Sequence, residues 1–203
     1  MPLHPKPTLA QQEEHLFKVL SSERFLKMEG LGNEVAHFIY DYDPAWALDV
    51  DQAKKRIMKK LDTELGIKVF EINLYDLCVE LLKARNVWER VLVAEPTMDK
   101  PDFLKMLQNM LDPQIHLAPA IKERIADESF DIVFLTGIGE VFPFVRSHTV
   151  LNNLQTVVSD KPMLMYFPGR YEVSATQGSA LVLFGQLKDD SFYRAKRILD
   201  QEA

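Results

Sequence analysis

Arg146, His148, Asn152 and Asn153 fall within one short stretch, and Arg170 follows the next apolar run of the chain. A guanidinium, an imidazole and carboxamides brought to one edge could form a polar concavity that receives an anion or a partner's polar groups. They come just after Gly137-Ile138-Gly139, a Gly-x-Gly turn that follows the apolar run at residues 132–135. A dinucleotide fingerprint needs its third glycine where Phe142 stands, and Pro143 follows, so that phosphate cradle fails. No Gly-Lys-Ser/Thr occurs, so the lysine and hydroxyl that a P-loop places on phosphate and magnesium are missing.

Other chemistries fare no better. The chain has no Gly-x-Ser-x-Gly elbow, and its lone Cys78 lies in an apolar helical pattern where a thiolate is disfavoured. Asp62 and Glu71 could begin a restriction-type nuclease site, but Asn73 stands where the water-polarising lysine belongs. Asp41 and Asp43, at the end of an apolar run, are weak candidates for a hard cation. A cap or Asx turn at Asp41, and a cap at Asp43 on the helix opened by Pro44, account for both more simply. The sequence thus assigns no catalytic residue, no metal set and no cofactor. Its residue types favour contact instead: Phe142, Phe144 and Tyr171 beside Arg146 and Arg170 are the aromatic and arginine residues that anchor interfaces.

These residues need a frame of alternating strands and helices. Apolar runs at residues 35–40, 68–73, 131–136, 161–167 and 180–185 read as strands. Helical spacing predicts helices over 9–20, 44–65, 75–93, two between 99 and 126, one over 147–158 and a last one over 190–200. Ser21 or Ser22 suits the cap of a short helix ending at Gly30, and Pro101 and Pro119 suit first turns. The polar stretch between the fourth and fifth strands is at the lower limit for a parallel crossover, so an antiparallel connection is expected there. The fold class is α/β: a three-layer, mostly parallel, mixed five-stranded sheet flanked by helices, without a P-loop. Residues 1–8, with Pro2, Pro5 and Pro7, form a flexible tail, and residues 9–203 one α/β domain.

The chain has 203 residues, 47% of them hydrophobic, enough to bury a substantial core. Its formal charge of −6 argues against direct nucleic-acid binding. The cluster Lys54, Lys55, Arg56, Lys59, Lys60 is interleaved with Asp49, Asp51, Asp62 and Glu64 and reads as a solvated helix face. A single cysteine, no secretory leader pattern and no membrane-length apolar run point to the cytoplasm and to no membrane association.

Several blocks together carry a resemblance: GLGNEVAHFIYDYDP (30–44), KVFEINLYDL (68–77), FLTGIGEVFPFVRSHTVLNNLQ (134–155), MYFPGRY (165–171) and LFGQLKDDSFYRAKRI (183–198). In order and spacing the chain resembles the BrxB family, small proteins of the BREX bacteriophage-exclusion systems. The resemblance implies membership of a multi-protein antiviral defence island that also encodes a methyltransferase, a large ATPase and PglZ, an alkaline-phosphatase-like protein. It carries no enzymatic activity to transfer. Two functions follow as expectations. One is a non-catalytic adaptor that binds another BREX protein, PglZ foremost, through Phe142, Phe144, Arg146, His148, Asn152, Asn153, Arg170 and Tyr171. The alternative is a regulatory or weakly enzymatic α/β domain that binds a nucleotide or phosphate ligand at the same edge.

Overall fold

The computed structural model describes residues 7–29, 36–174, 178–189 and 195–202. Four strands lie side by side and parallel in the order β2 (Val69–Asn73), β3 (Ile132–Thr136), β4 (Met163–Ser174), β1 (His37–Tyr42). Beyond the parallel part, β4 continues as an antiparallel ribbon with β5 (Gly178–Leu183), which pairs in turn with β6 (Leu187–Asp189). The two-residue β7 (Lys196–Arg197) completes the sheet beside β1.

Side chains alternate across each strand and so feed two cores. Ile39, Ile72, Val133, Leu135, Met163, Met165 and Phe167 share one core with α4 (Leu74–Ala84), α7 (Ala118–Ala126) and α8 (Ser147–Leu154). Phe38, Tyr40, Ile132, Phe134, Leu164 and Tyr166 share the other with α1 (Leu9–Leu20), α2 (Glu23–Leu26) and α3 (Ala47–Leu65). This is the three-layer α/β arrangement that the alternating pattern predicts, with β6 and β7 added to the five expected strands.

Local chemistry sets most helix ends. A reciprocal capping box between Thr8 and Gln11 opens α1, so Thr8 is part of an ordered cap; residues 1–6 of the expected tail lie outside the described residues. Ser22 caps α2, while the terminator expected at Gly30, and the turn at Gly32, lie outside the described residues. Asp43 caps a single turn, Pro44–Trp46, that leads into α3, and Gly66 ends α3 at φ 68°.

Three elements differ from the pattern. The helix expected over 75–93 breaks into α4 and α5 (Trp88–Ala94), because Asn86 takes φ 56° and Arg85 turns to donate to the Met110 carbonyl at the end of α6 (Lys100–Met110). The fourth strand runs on past residue 167, because Gly169 has no Cβ to strike the Val182 carbonyl, which would lie 2.1 Å from it. The expected last helix is replaced, from residue 196, by β7 and the turn Ile198–Asp200: fully buried Ile198 and the Arg197–Asp41 ion pair hold this stretch to the sheet; residues 190–194 lie outside the described residues. No helix among the described residues is long and apolar enough to cross a membrane.

Candidate functional site

The turn after β3 begins at Gly137, whose φ of 76° and lack of a side chain are both required. A Cβ there would lie 2.4 Å from Asn73 Oδ1 and 3.0 Å from the backbone nitrogens of Leu74 and Tyr75. The turn therefore sits on the N-terminus of α4. Asn73 Oδ1 already accepts hydrogen bonds from the Tyr75 and Asp76 N–H groups at 2.9 and 3.3 Å. The place where a phosphate would meet this helix is filled by the protein's own cap.

From Gly137 the chain plugs Ile138, Val141 and Val145 into the core and reaches α8. Arg146 occupies the cap position of α8 with extended backbone and no side-chain cap bond. Opposite, β4 and β5 present Tyr171, Leu181 and Leu183 to the same core. Between turn and hairpin lies a cleft of about 270 Å³ lined by Ile138, Phe142, Val145, Leu181, Leu183 and Leu187, with Arg146, Ser147, Gln186 and Lys188 around it. Leu187 is 43% and neighbouring Phe184 39% exposed, so apolar surface continues out of the cleft.

The expected contact residues divide. Phe142 and Arg146 line the cleft. Phe144 is half-buried against the core, His148 is half-buried in the first turn of α8, and Asn152 is exposed. Asn153 Nδ2 donates to the Thr149 carbonyl at 2.7 Å, so its side chain is committed to its own helix. Two expectations are corrected. Arg170 pairs in register with Val182, on the face opposite Tyr171, Leu181 and Leu183, where its Nε lies 3.3 Å from Glu172 Oε1. Arg146 and Arg170 therefore do not share a concavity. Tyr171 is 8% exposed and not an interface aromatic: its hydroxyl donates to the Ala195 carbonyl at 2.8 Å and its N–H to Asp41 Oδ2 at 3.1 Å. Burial raises the pKa of its phenol.

Asp41 is likewise neither a cap nor in an Asx turn. Its Oδ1 accepts from Arg197 Nε at 2.6 Å, so the carboxylate ties β7 to β1 and holds β4 where it leaves the parallel sheet. Asp43 Oδ1 accepts from the Ala45 N–H at 3.0 Å, a capping bond. Among the described residues no group of three His, Cys, Asp or Glu could hold a metal ion. Burial pushes the Cys78 thiol up to about 12, which leaves it without thiolate character at neutral pH.

On the other face, a polar group emerges that motif reading overlooks. Lys54 is 6% exposed, with Nζ 2.9 Å from Asp51 Oδ1 and 2.5 Å from Glu71 Oε1, while Thr136 Oγ1 donates to the same Glu71 oxygen at 2.8 Å. Burial works to lower the Lys54 pKa, but the hydrogen bonds to Glu71 and Asp51 outweigh it and hold it above the ordinary value. The rest of the basic cluster is exposed and partly paired, Arg56 to Glu13 and Lys55 to Asp51. Lys54 departs from the expected solvated face, and spacing carries the signal: it lies four residues after Val50 and three before Ile57, on the apolar stripe of α3.

Comparison with known proteins places this geometry in a family. A family model described as BREX protein BrxB matches residues 70–198, a span that contains the turn, the cleft and the hairpin. A BREX protein BrxB of Bacillus cereus (strain H3081.97) is 32% identical over 191 residues, covering 93% of this chain and 96% of that protein. Another BREX protein BrxB, from Escherichia coli O9:H4 (strain HS), is 29% identical over 193 residues, covering 95% and 92%. No solved structure matches the chain.

Proposed function

The chain belongs to the BrxB family of BREX proteins, and from that premise we propose that it acts as a non-catalytic adaptor, binding another component of its phage-exclusion system, PglZ foremost. The observation that carries this reading is the cleft between the Gly137 turn and the β5–β6 hairpin. It offers an apolar floor, an exposed Leu187 at its mouth, and Arg146, which has no ion-pair partner among the described residues. Exposed apolar surface ringed by polar groups is a common mark of a protein-binding site, and arginine beside aromatic and aliphatic side chains is the composition of interface anchors. Against the nucleotide alternative, the turn after β3 rests on a helix end that Asn73 already caps, so α4 offers no free N–H groups to a phosphate there.

Co-expression with PglZ tests the adaptor role. The two proteins are expected to co-purify, and Arg146→Glu or Leu187→Glu is expected to weaken the complex about tenfold or more. Both side chains are substantially exposed, so the melting temperature should stay nearly unchanged. Failure of the wild-type protein to associate with any BREX component overturns the adaptor role.

A further inference from the structure

The cleft's size and charge narrow what it takes. Its volume of about 270 Å³ lies at the lower edge of the roughly 300–1,000 Å³ that small-molecule pockets span, room for one or two side chains of a partner. The floor is apolar: Ile138, Val145 and Leu181 are almost wholly buried, and Leu183 and Leu187 carry the apolar wall outward. Among the described residues, none that lines the cleft is acidic, and Arg146 is a base without an ion-pair partner. The N-terminus of α8 opens beside Arg146 with no side-chain cap and no acidic residue in its first turn, so its partial positive charge is not offset locally.

We propose that the cleft binds a partner segment in which one or two large apolar side chains stand next to a carboxylate, the apolar groups filling the floor and the carboxylate lying between Arg146 and the first turn of α8. The proposal rests on the adaptor reading only for the source of the segment. Electrostatic matching of this kind raises specificity and on-rate more than raw affinity, so the bound segment should be sensitive to salt as well as to truncation of its apolar residue.

Short overlapping peptides tiled over the other proteins of the same BREX system provide the probe. They are screened against the full chain by fluorescence anisotropy, and binding is located through the methyl resonances of Ile138, Val145, Leu181, Leu183 and Leu187. The binding tiles are expected to carry Leu, Ile or Phe beside Asp or Glu and to shift these methyls. Each is expected to lose about tenfold in affinity when either element is replaced by alanine. Arg146→Glu should cost a similar factor, and exchanging the peptide's acid for lysine should restore binding to that variant. Tiles that bind without moving these methyls, basic tiles that bind equally well, or a screen without any binding tile would overturn the proposal. The adaptor reading fails separately. If PglZ co-purifies while the cleft methyls stay still, the adaptor stands and the cleft proposal falls. If PglZ does not associate but a tile from another component fills the cleft, the reverse holds for PglZ.

Discussion

Tyr166 and His37 are buried polar side chains on neighbouring strands with opposite hydrogen-bonding fates. The Tyr166 hydroxyl is buried without a hydrogen-bond partner among the described residues, beside the Tyr40 and Phe134 rings. Removing an unsatisfied buried group should cost nothing, so Tyr166→Phe is expected to leave stability unchanged or raise it by about 1 kcal/mol. A loss above about 1 kcal/mol in urea unfolding would show that the hydroxyl has a role its surroundings do not reveal. His37 instead donates from Nε2 to the Val158 carbonyl at 3.3 Å, and burial pushes its pKa down to about 4. Between pH 6.5 and about 4 the unfolded state binds a proton that the folded state refuses. Its contribution is therefore fully present above pH 6.5 and is lost as pH falls towards 4, by about 3 kcal/mol in all. Unfolding followed across that range should show this loss, and His37→Gln should flatten it; an equal slope in the variant contradicts the assignment. Legibility at this scale depended on distance along the chain. Lys54, read as solvated with its basic neighbours, is buried, and its place on an apolar stripe held that signal, whereas Asp41 finds Arg197 156 residues away, a contact no local pattern encodes.

At the scale of elements, two glycines with similar backbone separate conformational from steric demand. Gly66 ends α3 at φ 68° with open space where a Cβ would project, while Gly137, at φ 76°, faces Asn73 Oδ1 at 2.4 Å. Gly66→Ala is expected to cost about 1 kcal/mol from backbone strain alone. Gly137→Ala adds a clash with the α4 cap and is expected to cost about 2 kcal/mol more. Urea titration of both variants checks the ordering, and equal losses would mean that the turn does not rest on α4 as described. The elements most legible in the sequence are those whose ends carry their own chemistry, such as α1 with Thr8 and Gln11, or α3, which follows the turn capped by Asp43 and ends at Gly66. The break at Asn86 was hidden because apolar spacing continues across it from Leu82 to Val91. The extension of β4 was hidden for another reason: glycine at residue 169 reads as a turn until the Val182 carbonyl is seen lying against it.

At the scale of the molecule, the alternation of strands and helices was enough to predict a three-layer α/β fold, because parallel strands buried on both faces need helices on each side. The cleft was only half legible. Its β3 side lies in the motif-rich turn that drew Phe142 and Arg146 into the candidate set, but its other wall comes from Leu181, Leu183 and Leu187, apolar residues with no motif of their own. Their convergence depends on β4 continuing past the parallel sheet and folding back through β5. Arg170 and Tyr171 were misassigned for the same reason, since the ribbon's register sends one to its far face and the other into the core. The adaptor account makes this composite cleft the working surface of a BREX component. Calorimetric titration of the purified chain with PglZ tests that most directly. The account predicts a wild-type complex whose dissociation constant rises about tenfold or more with Leu187→Glu and with Arg146→Glu, at unchanged melting temperature. A wild-type complex that both substitutions leave intact would contradict the cleft as its working surface, and no complex would contradict PglZ as the partner.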